Sequence, residues 1–127
     1  MSIIAWNCRG LGSSLVVRTL TDEVRSKHPL LVFLAETKAS TSRIKGIQTK
    51  LKYTQGIAVP SDRQSGDLAM IWKEGTDVIF KSFSNSHIDV IVCEDLTSSP
   101  WRVSGFYGQP ETEKRVILWQ LLEALKA

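Results

Sequence analysis

The chain has 127 residues, 43% of them hydrophobic and 23% charged, a balance typical of soluble globular proteins and a length that builds one domain at most. The longest apolar run, Leu30–Ala35, is far short of the ~20 residues a bilayer-spanning helix needs. Residues 1–30 also lack the charged, then apolar, then small-residue order of a signal peptide, so an intracellular protein, nuclear or cytoplasmic, with no membrane partner is expected.

In chain order, Ile3–Trp6 reads as a short strand and Cys8–Gly12 as a loop with two glycines. Ser13 or Ser14 can cap a helix whose apolar positions Val17, Leu20 and Val24 recur at spacings of three and four. Pro29 ends that helix, and Leu30–Glu36 follows as a strand whose continuous apolar run suits cover on both faces. Ser40–Tyr53 reads as a second helix, with Ile44, Ile47 and Leu51 inward and Arg43, Lys45, Lys50 and Lys52 mostly outward.

From Gly56 the period shortens. Gly56–Val59, Asp67–Trp72, Asp77–Phe83, His87–Cys93 and Trp101–Tyr107 are strand candidates, separated by turn-rich pieces at Pro60–Gly66 and Lys73–Thr76. Glu111–Lys126 reads as a final helix capped by Thr112, with Ile117, Leu118, Leu121, Leu122 and Leu125 on a wide apolar face. This order predicts an α/β sandwich: a parallel crossover first, antiparallel meanders next, helices outside. Leu68, Met70 and Trp72 alternate with Ala69 and Ile71, so both faces of that strand are apolar, as in stacked sheets.

The net charge of +3 is unevenly spread. Residues 1–52 hold nine Lys/Arg against three Asp/Glu, and residues 53–127 seven against ten. A basic first part suits a phosphate-backbone partner such as nucleic acid, or it is simply a solvated helix face. Cys8 and Cys93, widely separated, are expected to be free thiols, and no Cys/His spacing suggests zinc.

Two segments carry chemistry. In Trp6-Asn7-Cys8-Arg9-Gly10 and Leu34-Ala35-Glu36-Thr37-Lys38, an amide and a carboxylate end two short apolar runs, an oxygen-rich corner of the kind that holds Mg²⁺. By position alone Glu36 is a metal ligand or an ordinary strand-end carboxylate, and Asn7 is by default a turn former. Arg9 could reach a phosphate or simply stay solvated. Tyr107, between glycines at a strand end in Gly105-Phe106-Tyr107-Gly108-Gln109-Pro110, reads as an exposed hydroxyl on a rim or as a core aromatic with a wet edge. His87 and Asp89 share a strand face and could meet; they are read as a structural strand start.

The wording Trp6–Gly12, Phe33–Lys38, His87–Asp89 and Gly105–Pro110 resembles the endonuclease/exonuclease/phosphatase superfamily, and within it the N-terminal endonuclease domain of plant LINE-type retrotransposon proteins. The resemblance implies a partial four-layer α-β-β-α sandwich, the N-terminal part of a DNase I-like fold, over residues 1–127. It implies Mg²⁺ held by Glu36 and Asn7, catalytic roles for Asn7 and Tyr107 (the tyrosine donating to the scissile phosphate), and DNA as partner. The family's aspartate base, in an Asn-Gly-Asp-Phe-Asn-type stretch, and its late histidine have no counterpart here, since Asn85 is followed by Ser86 and His87.

Ser65-Gly66-Asp67 also departs from the family's Ser-Gly-Gly-type turn. The expectation is therefore an N-terminal endonuclease fragment, inactive alone, in which Leu68, Met70, Ile79, Val90 and Val92 lack part of their cover and draw self-association. The alternatives are a non-catalytic nucleic-acid- or metal-binding remnant and an α/β interaction module.

Overall fold

The computed structural model describes residues 2–8, 10–59, 68–84, 86–93, 99–108 and 115–122. Eight strands and two helices follow in the order β1 (Ile3–Asn7), α1 (Ser14–Lys27), β2 (Leu31–Ala35), α2 (Thr41–Leu51), β3 (Gln55–Val59), β4 (Leu68–Trp72), β5 (Asp77–Ser84), β6 (His87–Cys93), β7 (Trp101–Gly108) and β8 (Arg115–Leu122). The first four strands form one sheet in the order β1-β2-β4-β3, and the last four a second in the order β5-β6-β7-β8. β1 and β2 are parallel, as a helical crossover requires, and every other pairing is antiparallel.

Both helices carry their own start and stop signals. The Ser13 hydroxyl accepts from the Leu15 and Val16 amides at 3.2 and 3.4 Å, and Ser40 accepts from the Arg43 amide at 3.1 Å. His28 (φ 46°) and Lys52 (φ 65°) end α1 and α2 in the left-handed region, and Arg25, Lys27 and Lys50 place positive charge where the helix dipole is negative. Val17, Leu20 and Val24 of α1 and Ile44, Ile47 and Leu51 of α2 pack with Val32, Leu34, Ala69 and Ile71 on one face of the first sheet. Tyr53, buried, donates its hydroxyl to the Pro29 carbonyl at 2.5 Å and ties the end of α2 to the start of β2.

On the opposite face Leu31, Phe33, Leu68, Met70 and Trp72 meet Ile88, Val90, Val92, Val103 and Tyr107 of the second sheet. β2 and β4 are thus buried on both faces, as their unbroken apolar runs require. Close approach of the sheets demands glycine at 105, where a Cβ would lie 2.6 Å from the Phe33 ring.

The chain is mixed α/β with two sheets face to face, and two expectations are corrected. Residues 115–122 form a strand, not part of a helix: Arg115 to Leu122 pair with Gly108 to Trp101 of β7. The run Val116–Trp119 has no polar break to enforce a helical period, and a ladder along β7 satisfies its backbone. Thr112, Glu111 and Leu125 lie outside the described residues, as do Arg9 and the Ser65–Asp67 turn. Among the described residues both helices pack on the same outer side of the sandwich.

The inner face, finally, is covered. Leu68, Met70, Val90 and Val92 are each at most 1% exposed, while Ile79 points outward and is 49% exposed. Its neighbours on β5, Phe80 and Phe83, are also exposed, with ring centroids 5.8 Å apart. No described helix is long and apolar enough to cross a membrane.

Candidate functional site

The parallel register sets Asn7 beside Ala35, so β1 and β2 end together and Glu36 follows one residue later on the neighbouring strand. Pairing then continues past both strand ends. The Cys8 amide donates to the Ala35 carbonyl at 2.8 Å, Gly10 to Glu36 at 2.7 Å and Leu11 to Thr37 at 2.8 Å. The two loops are zipped into one ledge, which requires unusual backbone: Gly10 at φ 100°, Glu36 at 52° and Lys38 at 47°. Left-handed conformation at two non-glycine residues costs about 1–3 kcal/mol each and persists only where surroundings enforce it. Arg43 of α2 helps to enforce it, donating Nε and Nη2 to the Leu11 carbonyl at 3.3 and 3.0 Å.

The Glu36 side chain is turned inward, and the residue is 7% exposed. Its Oε2 accepts a short hydrogen bond from the Tyr107 hydroxyl, which reaches across from the second sheet. Lys38 Nζ lies 3.7 Å from Oε1. Tyr107 is 6% exposed, which corrects the reading of its hydroxyl as exposed on a rim. Its backbone amide is also held, donating to Ser86 at 2.8 Å. The Cys8 thiol is pushed up to about 12, chiefly by burial and then by the negative charge of Glu36, against a lowering bond with the Ala35 backbone. It is therefore a buried, inert thiol beside the carboxylate.

Among the described residues no group of three or more His, Cys, Asp and Glu could hold a metal. The oxygen-bearing side chains at these adjacent strand ends are one carboxylate and one amide, Glu36 and Asn7; in kind they fit Mg²⁺, which keeps several waters and needs one or two carboxylates. They do not fit zinc, which wants nitrogen or sulfur in a closed shell.

His87 and Asp89 stand on the opposite face of the second sheet and have separate partners. The His87 ring lies between Ser84 Oγ at 2.6 Å from Nδ1 and Ser82 Oγ at 3.1 Å from Nε2, with Phe106 stacked at 5.8 Å. Asp89 receives Arg102 at 3.1 and 2.6 Å and Ser104 at 2.8 Å. Burial pushes its carboxyl up, but the bonds from Arg102 and Ser104 and the charges of Arg102 and His87 outweigh it, leaving it below the usual carboxylate range. This face is a fastening across β5, β6 and β7, consistent with a structural strand start.

Sequence reasoning missed Lys38, Arg43 and Arg102 as site or scaffold residues. Lys38 had a usable signal, standing two residues beyond the carboxylate in a loop too short to carry it away. Arg43 and Arg102 had none, because their partners lie 32 and 13 residues distant. No protein-family model and no curated protein matches the chain.

Proposed function

We propose that this chain is the N-terminal, metal- and phosphate-holding part of a Mg²⁺-dependent phosphodiesterase of the retroelement endonuclease type, with a partial DNase I-like sandwich, acting on DNA and not hydrolytic by itself. The observation that carries the reading is the inward Glu36 carboxylate at the shared end of β1 and β2, beside Asn7 and joined to Tyr107 of the second sheet. An acidic group held almost out of water at a strand end is expensive unless compensated, and function is a common reason to keep one.

Glu36 and Asn7 would hold the ion, which polarises a phosphoryl oxygen when bound. Tyr107 holds a hydroxyl donor at the same corner, where it can be exchanged between carboxylate and phosphate. The excess of Lys and Arg in residues 1–52 would supply attraction to a phosphate backbone. The aspartate base and late histidine of such enzymes have no counterpart in the sequence, so half a site is present.

A second reading, an α/β interaction module, draws on the exposed Phe80 and Phe83 of the edge strand β5. Fluorescence anisotropy of a labelled duplex, with Mg²⁺ or with chelator, separates the two. The proposed function predicts a Mg²⁺-dependent component of binding that Glu36→Gln removes, with no nicking of supercoiled DNA. Robust nicking that disappears in Glu36→Gln would refute the half-site reading, binding indifferent to Mg²⁺ and to Glu36 would favour a non-catalytic nucleic-acid-binding remnant, and no duplex binding would favour the module.

A further inference from the structure

We propose that Lys38 is a tethered cation that occupies the ion's side of Glu36, so that a divalent ion enters this corner by displacing its ammonium; the inference rests on the metal-site reading above. Three observations carry it. The Glu36 side chain is 9% exposed, so its carboxylate sits where a counter-charge is demanded. Tyr107 engages Oε2, while Lys38 Nζ faces the other oxygen, Oε1, at 3.7 Å. That distance is longer than a good charge-assisted bond, and half of the Lys38 side chain remains in solvent, so it can swing out without exposing core.

The loop geometry keeps the lysine near. Lys38 is held in the left-handed region, and its stem passes over Gly10, where an added Cβ would lie 3.9 Å from Lys38 Cδ. The two loops that present Asn7 and Glu36 therefore also present their own competitor. The ammonium and a divalent ion cannot share Oε1: Mg²⁺ binds oxygen at about 2.0–2.1 Å and would meet the ammonium's charge a few ångströms away. Displacement costs the ion pair and leaves residual repulsion between the displaced ammonium and the double charge. Together these lower divalent affinity about tenfold at low ionic strength.

The test uses the full chain and Mn²⁺ as probe, with free ion counted by electron paramagnetic resonance. Lys38→Gln is expected to bind Mn²⁺ about tenfold tighter than the native chain at low salt, with the gain shrinking at about 0.15 M salt. Lys38→Arg, which keeps the charge, is expected to bind like the native chain, and Glu36→Gln to bind worse than either. Should Lys38→Gln fold poorly, Lys38→Asn serves the same purpose, because asparagine tolerates the left-handed backbone at this position. Native-like or weaker binding by the neutral variants would overturn the role of Lys38 while leaving the metal reading intact. No Mn²⁺ binding by any of these proteins would overturn both.

Discussion

Tyr107→Phe removes one oxygen and keeps the ring between the sheets, so it isolates the bond that joins them at the candidate site. Tyr107 and Glu36 are 6% and 7% exposed, so water does not readily replace the lost donor. A hydrogen bond to a charged group contributes ~1.5–3 kcal/mol, more when the abandoned partner stays buried. Lys38 offsets part of the loss, but a half-exposed ammonium at 3.7 Å gives under ~1 kcal/mol. The expected destabilisation is about 2 kcal/mol, which for a chain of this size lowers Tm by about 6–10 °C. Urea unfolding of the native chain, Tyr107→Phe, Glu36→Gln and the double variant closes a cycle, with an expected coupling of about 1–2 kcal/mol. A Tyr107→Phe protein melting with the native chain, or a coupling below about 0.5 kcal/mol, would refute the claim that this bond fastens the sheets.

Gly105→Ala is expected to destabilise the chain by about 1–3 kcal/mol, since its methyl would strike the Phe33 ring, and Phe33→Leu in the same chain should restore part of that loss in urea titrations. Asp89 is held below its usual range, so its stabilisation is full above the unfolded value of about 3.9 and is lost as pH falls through the lower folded value; Asp89→Asn should flatten the acid limb of a Tm-against-pH curve. Cys8, buried and pushed up to about 12, is expected to resist iodoacetamide at neutral pH in the native protein, while half-buried Cys93 is alkylated first, as peptide mass mapping will report.

Where local chemistry alone decides conformation, the sequence was legible. The serine cap of α1 and the apolar spacing of α1 and α2 placed both helices, and the unbroken apolar runs of β2 and β4 announced strands covered twice. The nearness of Asn7 and Glu36 also followed, because two strands joined by a crossover helix tend to pair in parallel and so end at the same edge. Features set by long-range pairing were not legible. Val116–Trp119 suits a helix or a strand, and only the ladder with β7 chooses. The burial of Tyr107 depends on how β7 stacks over β2, and the Asp89–Arg102 bond depends on the β6–β7 register. Ile79, expected inward, is outward because the side-chain alternation of β5 is set by its pairing with Ile91.

If Asn7 and Glu36 form a divalent-cation corner, substoichiometric Mn²⁺ will broaden the backbone amide signals around it paramagnetically. Broadening is expected to centre on Asn7, Cys8, Glu36 and Tyr107, to spare β5, to be competed away by Mg²⁺ and to be lost in Glu36→Gln. Broadening that centres on another acidic surface such as Asp77, or a pattern unchanged by Glu36→Gln, would contradict the cation corner.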